Sequence, residues 1–324
     1  MRYLFVVFLL MLQPAAAHEH ELNVITALSS SDPMYQGLLH FKQGVEEQTN
    51  KQVKIRIFIG SQLGNDDDVL EQARAGANVA VLVDGGRLSI YQHEIGILGA
   101  PYLAKNLGEL NAIVESALFG QWAKELSDNS GLKVLSFNWW QGQRHLLTHK
   151  PIHTPADLAG VRMRTIGAPI WLETINAMGA TATPLSWTEI YSALQQRVID
   201  GAEAQHSGTW GSRLYEVIPY ITKTGHINLI SGLVGSTAWF EKLTNQQQEV
   251  VLLQAFLAGK YASAIVSDSQ AELELKMQEQ GVTINEIDTA PFIEATKATY
   301  DVLGYSELRK ALYKSIKKQG ASDE

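Results

Sequence analysis

The chain has 324 residues, a formal net charge of −8 and no cysteine, and 45% of its residues are hydrophobic against 19% charged. This composition supplies apolar surface for a large core, and it excludes an intrinsically disordered chain, a disulfide scaffold and cysteine-ligated zinc or iron–sulfur sites. The acidic balance argues against a nucleic-acid partner, because nucleic acids are bound by basic surfaces.

The first element in chain order has the layout of a secretory signal peptide. The single charge of Arg2 precedes an apolar run over residues 3–12, and small residues follow at 15–17. That run is too short for a bilayer span, which needs about 20 apolar residues, and the small residues fit a cleavage site. We predict that residues 1–17 are removed near Ala17 and His18 and that the protein is exported to the periplasm. No later stretch is predicted to span a membrane.

Strand and helix patterns then alternate, as expected for an α/β domain with a mostly parallel sheet. The pattern predicts strands at 21–27, 53–59 and 79–83, separated by helices at 35–49 and 66–75.

A second α/β pattern begins near residue 133. It predicts strands at 133–137, 161–164, 182–185 and 198–204, with helices that begin at 154, 169 and 189. Residues 244–277 are predicted to form one long helix, and further helices follow from 289. Because no low-complexity linker separates the two units, we expect them to be tightly connected.

The sequence lacks the patterns that mark common catalytic sites. It contains no nucleophile elbow, phosphate-binding loop, dinucleotide-binding glycine pattern or His-Glu-x-x-His motif. The histidines at 145, 149 and 153 have helical spacing, but Pro151 interrupts that segment. We therefore predict no enzymatic activity, no cofactor and no metal. Two exported α/β units without catalytic groups favour a binding protein whose lobes close over a small molecule.

Two arginines of the second unit point to an anionic ligand. Arg144 follows the end of a predicted strand, and Arg164 lies near the end of the strand at 161–164. A buried guanidinium needs an anionic partner, and its planar donors match both oxygens of a carboxylate. These residues alone leave open whether the partner is a ligand or a carboxylate of the lobe itself.

From Asn138 to Tyr220 the sequence resembles the solute-binding subunits of TRAP (tripartite ATP-independent periplasmic) transporters, the DctP family. The shared motifs are Gly-Gln-Arg at 142–144, Thr-Pro-Ala-Asp-Leu-Ala-Gly-Val-Arg-Met-Arg at 154–164, Met-Gly-Ala-Thr-Ala-Thr-Pro-Leu at 178–185, Glu-Ile-Tyr-Ser-Ala-Leu-Gln at 189–195, Val-Ile-Asp-Gly-Ala-Glu at 198–203 and Tyr-Glu-Val at 215–217. The first unit fits through Ser-Gln-Leu-Gly at 61–64, Gly76 and Ala-Pro-Tyr-Leu at 100–103.

The resemblance implies an α/β, two-lobed periplasmic-binding-protein fold with crossing strands and a long lobe-spanning helix. We expect lobe I to comprise 18–141 and 230–269, and lobe II to comprise 142–229 and 270–324. The implied function is a periplasmic receptor, expected to be a monomer, that binds one small organic acid and delivers it to the small and large TRAP membrane permease subunits. The alternatives are a periplasmic ligand-sensing module and an exported hydrolase.

The resemblance also implies roles for individual residues. It places Arg164 at the position of the carboxylate-clamping arginine and Arg144 at that of a second, assisting arginine. Trp187 matches an aromatic position that packs on the ligand. Asp84 matches a ligand-facing position of the first lobe, and Asp66 is expected to approach the same cleft.

One segment departs from the family pattern. After Asp200-Gly201 the family typically has Gln-Glu-Asn-Pro, with the asparagine as a frequent ligand contact. This chain has Ala202-Glu203-Ala204-Gln205 at the same place. Ala204 has no side-chain hydrogen bond to offer, so the usual asparagine contact is lost and sialate becomes a less favoured ligand.

The remaining candidate ligand-binding residues are Trp140, Trp210, Glu203 and His226. Together with the residues above, they are compatible with three kinds of ligand, and the sequence does not choose among them. Sugar acids would use hydroxyl partners such as the two aspartates, and aromatic or aliphatic carboxylates would use the tryptophans. Zwitterions would use an acidic partner such as Glu203 beside an arginine.

Overall fold

The computed structural model describes residues 20–320, so the predicted signal peptide at 1–17 lies outside the described residues. Within this range one mixed sheet has nine strands, β1 His20–Ile25, β2 Val53–Phe58, β3 Val79–Asp84, β4 Leu132–Thr148, β5 Arg162–Thr165, β6 Thr181–Pro184, β7 Gly201–Ala204, β8 Tyr220–Ser236 and β9 Thr283–Asn285.

Thirteen α-helices within the same range surround this sheet. They are α1 Pro33–Gln48, α2 Asp66–Arg74, α3 Gly85–Leu88, α4 Leu107–Val114, α5 Ala117–Ser130, α6 Pro169–Ala177, α7 Ile190–Gln195, α8 His206–Gly211, α9 Thr237–Phe240, α10 Asn245–Glu279, α11 Ala290–Thr296, α12 Ala298–Val302 and α13 Ser306–Gly320. Short 3₁₀ helices occupy His93–Gly99, Pro155–Leu158, Trp187–Glu189 and Leu214–Glu216.

Two long antiparallel strands, β4 and β8, connect the two halves of the sheet. The strand order is β2-β1-β3-β8-β4-β7-β5-β6, with β9 also on β8. Strand β3 pairs with the end of β8, from Ala80 opposite Gly235 to Asp84 opposite Ser231. Strand β7 pairs instead with the end of β4. Each long strand therefore belongs to both halves, which confirms the predicted two-lobed α/β fold with crossing strands.

The pairing of β4 with β8 is irregular where the strands pass from one lobe to the other. Register shifts separate Trp140 from Gly142 and Arg144 from Leu146. Gly142 has a φ of 103°, which a residue with a side chain rarely adopts. These irregularities turn the side chains of 141 and 144 toward the space between the lobes.

The long helix α10 has 35 residues and therefore a length of about 52 Å, at about 1.5 Å per residue. It packs against α1 and β4 and reaches α8 and β9 in the other half. Small residues allow the close approach to α1, since a Cβ on Gly37 would lie 2.7 Å from Ala262 Cβ. By length and composition α10 could cross a membrane, so the expectation of no such stretch was wrong, but in the structure it packs within the fold.

The last helix, α13, lies on the first half of the molecule. It packs against α4, α5 and the 3₁₀ helix His93–Gly99. Tyr305 and Leu312 are buried with Ile95 in one apolar cluster. The expected boundary placed 270–324 in lobe II. The structure instead divides this range, because β9 pairs with β8 in the second half while α13 covers the first.

Candidate functional site

A polar cavity lies between the two lobes where β4 and β8 cross. It encloses about 470 Å³, part of which is open to solvent, and its walls come from both halves of the sheet. Its lining residues are Thr26, Ala27, Leu28, Asp66, Leu82, Asp84, Arg87, Gln141, Arg144, Arg164, Ile166, Trp187, Gln205, Leu229 and Ser231.

The ends of several strands bring these residues together. Thr26 follows β1, Asp84 is the last residue of β3, Arg164 is near the end of β5, and Gln205 follows β7. The carboxyl ends of parallel strands commonly form ligand sites, because chains leave the sheet there and open a crevice. The crossing segments of β4 and β8 add Gln141 and Ser231 from the middle of the sheet, which makes the floor of the cavity rigid.

Arg164 is a buried cation that makes no ion pair with a carboxylate among residues 20–320. Only 1% of it is exposed, and its Nε and Nη2 both donate to the backbone carbonyl of Leu185, at 2.9 and 2.7 Å. Its Nη1 is buried and has no hydrogen-bond partner among the described residues. Burial lowers the pKa of Arg164 to about 9, so the guanidinium stays charged at pH 7. A buried charge with an unused donor favours an anion in the cavity beside it.

Arg144, by contrast, donates from all three of its nitrogens to other residues of the protein. Its Nε and Nη2 donate to the carboxylate and the backbone carbonyl of Glu203, and its Nη1 donates to Gln205 Oε1 at 3.0 Å. Glu203 is fully buried and also accepts a 2.9 Å bond from Thr165 Oγ1. His226 Nε2 lies 3.9 Å from the same carboxylate. Arg144 therefore forms a structural ion pair in the wall of the cavity, with Glu203 behind it.

An acidic cluster lies on the lobe I side. Arg87 contacts Asp84 at 2.7 Å, Asp67 at 3.4 Å and Asp66 at 3.5 Å. Asp84 is fully used, because it also accepts bonds from the Arg87 backbone and from Trp171 Nε1. Asp66 keeps a buried Oδ1 without a partner among the described residues, and burial raises the pKa of its carboxyl. Asp66 is thus the free acceptor of the cavity.

A row of amides continues from Arg144 across the cavity floor. Gln205 Nε2 donates to Gln141 Oε1 at 3.0 Å, and Gln141 Nε2 donates to Ser231 Oγ at 2.7 Å. Three sequentially distant segments are joined by these bonds. Gln205 supplies an amide one position after Ala204, so the segment that lacks the family's asparagine still carries an amide side chain into the cavity.

Five of the nine predicted site residues line this cavity: Arg164, Arg144, Trp187, Asp84 and Asp66. Trp187 lies at its edge, with the Arg164 guanidinium 5.6 Å from its ring centre and its Nε1 donating to Ser212 Oγ at 2.9 Å. Its ring therefore forms one wall of the cavity near the arginine.

The other four predicted residues do not line the cavity. Glu203 lies behind it, bonded to Arg144. His226 is fully buried, its Nδ1 is 2.8 Å from Thr224 Oγ1, and burial lowers its pKa to about 3. Trp140 packs into the two lobe I apolar clusters, and Trp210 stacks on Tyr215 at 4.6 Å. These side chains support the fold around the site.

Sequence reasoning missed Arg87, Thr26, Gln141, Gln205 and Ser231. Arg87 follows Asp84 by three residues, and an Asp–Arg pair at helical spacing was available as a signal. The amides and the serine carry no charge and belong to no motif, so only the crossing of the strands identifies them. Among residues 20–320, no three His, Asp or Glu side chains converge on a possible metal site.

Trp171 connects the lobes beside this cavity. It is 1% exposed, donates to Asp84 Oδ1 at 3.1 Å and lies under the Arg144 guanidinium at 5.0 Å. It fills a slot made by two glycines of the first lobe. A Cβ on Gly86 would come within 2.1 Å of Trp171 Nε1, and one on Gly99 within 3.0 Å.

Comparisons with known proteins agree with this arrangement. Residues 24–307 match the family model DctP, described as bacterial extracellular solute-binding protein, family 7. A TRAP periplasmic solute-binding protein of Escherichia fergusonii, solved as an apo open structure, is 45% identical, covers 91% of this chain and 99% of its own, and has a TM-score of 0.80.

Two further proteins are similar over most of their length. A TRAP periplasmic solute-binding protein of Ochrobacterium anthropi with bound L-fuconate is 29% identical, covers 92% of this chain and 99% of its own, and has a TM-score of 0.89. The 2,3-diketo-L-gulonate-binding periplasmic protein YiaO of Escherichia coli is 26% identical over 82% of this chain and 81% of its own.

The two TM-scores rank in the opposite order to the sequence identities. The apo open structure has the higher identity, 45%, and the lower TM-score, 0.80. The ligand-bound structure has 29% identity and a TM-score of 0.89. The overall shape of the molecule is therefore nearer to that of the ligand-bound structure than to that of the apo open one.

Proposed function

This chain belongs to the DctP family of bacterial extracellular solute-binding proteins, and on that premise we propose that it is the TRAP receptor for a sugar acid. The proposed ligand carries one carboxylate and several hydroxyl groups. It binds in the cavity between the lobes, and the lobes close over it.

The observation that carries this proposal is the unused Nη1 of Arg164. Its Nε and Nη2 both donate to the Leu185 carbonyl and fix the guanidinium in place. The remaining donor is buried at the cavity wall with no acceptor among the described residues. Leaving a buried donor unsatisfied costs about 1–3 kcal/mol, more when the donor is charged. A ligand carboxylate removes that cost and neutralises the buried charge.

Asp66 favours a hydroxylated acid over a simple one. Its free Oδ1 can accept a bond from a ligand hydroxyl. A zwitterion would need a carboxylate free to neutralise its cation, but Arg87 already contacts both Asp66 and Asp84. An aromatic acid would need aromatic surface, but Trp187 is the one aromatic side chain that lines the cavity among the described residues, and Arg164 lies over its ring. The bound L-fuconate of one relative and the 2,3-diketo-L-gulonate named for another are both sugar acids, which supports the same choice.

We place the mature protein in the periplasm, where members of this family work with TRAP membrane permeases. The signal-like residues 1–17 support export with cleavage near Ala17 and His18. In this proposal a monomeric receptor delivers its ligand to the small and large permease subunits and returns it chemically unchanged. No observation favours the sensing module or the hydrolase over this role.

Isothermal titration calorimetry of the mature protein tests the proposal. L-Fuconate and 2,3-diketo-L-gulonate are the probes, L-fucose is the control without a carboxylate, and hexanoate is the control without hydroxyls. We expect at least one sugar acid to bind at least 100-fold more tightly than either control. At about 100 times its dissociation constant it should stabilise the fold by about 2.7 kcal/mol. Equal binding of L-fucose, or binding of hexanoate alone, would refute the proposal.

A further inference from the structure

We propose that a one-way chain of hydrogen bonds makes Ser231 a donor to the ligand, so that the site selects acids with an oxygen acceptor at that point. Arg144 begins this chain, Gln205 and Gln141 transmit it, and Ser231 ends it. The inference rests on the proposed function and names the residue that would discriminate among acids.

The direction of the chain follows from the first residue. Arginine has five N–H donors and no acceptor, so whatever faces Arg144 Nη1 must be an oxygen. Gln205 therefore presents Oε1 to Arg144, and its NH₂ group must face Gln141. Gln141 then accepts through Oε1 and turns its own NH₂ group to Ser231. Neither amide can flip without placing two donors, or two acceptors, against each other.

This direction fixes the role of the serine. Ser231 Oγ accepts the 2.7 Å bond from Gln141, so its hydroxyl hydrogen must go elsewhere. No acceptor for that hydrogen lies within hydrogen-bond distance among residues 20–320. The residue is 1% exposed and lines the cavity, so its unused hydroxyl hydrogen is available to the space that a ligand would occupy. The acceptor that the geometry calls for is an oxygen of the ligand.

The cavity thus has a definite pattern of donors and acceptors. Arg164 offers a charged donor, Ser231 offers a neutral donor, and Asp66 offers an acceptor. A sugar acid supplies a carboxylate for Arg164, a hydroxyl or keto oxygen for Ser231 and a hydroxyl hydrogen for Asp66. An acid with no oxygen facing Ser231 leaves that donor buried and unpaired, and this is the basis of discrimination.

A single isosteric substitution at Gln205, the residue next to Arg144, should reverse the direction of the hydrogen bonds that follow it. In Gln205→Glu one carboxylate oxygen still accepts from Arg144, but the other oxygen now faces Gln141. Gln141 must turn its NH₂ group toward the new acceptor and present its oxygen to Ser231. The serine then donates to Gln141 and shows only lone pairs to the cavity. Gln205 acts here as a positioning residue, because it acts on the ligand through two other side chains.

The test is a double-mutant cycle measured by calorimetry with L-fuconate. In the wild type we expect Ser231→Ala to weaken binding about tenfold, the value of one hydrogen bond. In the Gln205→Glu background the same change should weaken binding less than twofold. Gln143→Glu is the matched control, since it adds the same charge on β4 outside the chain, and there Ser231→Ala should still cost about tenfold.

A second comparison needs no change at Gln205. Ser231→Ala should lower the L-fuconate affinity about tenfold and leave the hexanoate affinity unchanged. Equal costs of Ser231→Ala in the wild type and in Gln205→Glu, or equal losses for both acids, would overturn the inference. Failure of wild-type protein to bind L-fuconate, 2,3-diketo-L-gulonate or any other hydroxy acid would overturn the proposed function instead, and the inference with it.

Discussion

Replacing Arg164 with methionine should separate ligand binding from folding. Arg164 is buried and has no carboxylate partner in the described part of the chain, so the ligand-free protein bears the cost of desolvating its charge. Replacing buried charges with apolar side chains of similar size is often neutral or stabilising by about 1–4 kcal/mol. The loss of two donors to the Leu185 carbonyl works in the opposite direction, at about 1–3 kcal/mol. These effects nearly cancel, so the free energy of unfolding should stay within about 2 kcal/mol of the wild type.

Binding should respond very differently to the same change. Removing the partner of a buried ligand carboxylate costs about 2–5 kcal/mol. At about 1.4 kcal/mol per factor of ten, the sugar-acid affinity should fall between about 30-fold and 4,000-fold. Calorimetry measures this loss, and urea denaturation of the ligand-free protein measures the unfolding free energy.

Arg144→Met provides the matched control. It also removes a buried arginine of the cavity wall, but it leaves the fully buried Glu203 without its cation. Breaking a buried ion pair in this way should destabilise the fold by about 3–5 kcal/mol. If Arg164→Met destabilises the fold as much as Arg144→Met and leaves the affinity unchanged, Arg164 is the structural arginine and the reasoning fails.

Three further predictions concern other residues. Gly86→Ala should destabilise the packing of Trp171 by about 1–3 kcal/mol, because its Cβ would meet Trp171 Nε1 at 2.1 Å. Gly120→Ala should not, because no described atom lies within 4 Å of its new Cβ. Ligand affinity and urea unfolding measure both effects. Burial raises the pKa of Asp32 to about 6, so its ionised form weakens the fold above pH 6 and this penalty fades toward pH 4. Asp32→Asn, which keeps a helix-capping acceptor, should therefore raise the unfolding free energy by roughly 1–3 kcal/mol at pH 7 and by little at pH 4, and equal gains at both pH values would contradict this. In Asp66→Asn the amide oxygen should face Arg87 and the NH₂ group the cavity, which removes the acceptor. This change should weaken L-fuconate about tenfold and leave hexanoate unchanged in calorimetry, and equal losses would contradict the role of Asp66 as hydroxyl acceptor.

The sequence predicted the elements that belong to one lobe. Strands β1, β2, β3, β5 and β6 lie within a residue or two of their predicted ranges, because each has a short apolar or alternating pattern. All of β8 and the second half of β4 were missed. The burial pattern of β8 does not alternate, since it is covered on both faces along much of its length. A strand shared by two lobes has no single periodicity to detect.

The candidate site was predictable to the extent that its residues carry charge. Arg164, Arg144, Asp84 and Asp66 follow strand patterns and reach the cavity together. The sequence could not show that Arg144 is already paired and Arg164 is not, because the difference depends on where Glu203 lies in three dimensions. The resemblance gave Arg164 the clamping role and Arg144 an assisting one, whereas the structure bonds Arg144 to Glu203 and leaves Arg164 Nη1 without a partner among the described residues.

The neutral groups escaped prediction for a related reason. Gln141, Gln205 and Ser231 acquire a role only from hydrogen bonds between segments far apart in the sequence. Trp140 and Trp210 were candidates because aromatic side chains suit a ligand pocket, but the same side chains pack equally well in a core. Their places in the structure are determined by lobe packing.

A crystal structure of the mature protein with L-fuconate tests the central claim most directly. We predict one carboxylate oxygen within about 2.7–2.9 Å of Arg164 Nη1, the distance of a charge-assisted hydrogen bond, while Arg144 remains bonded to Glu203. A complex in which the carboxylate lies elsewhere, on Arg87 or outside the cavity, with Arg164 Nη1 still unpaired, would contradict the account.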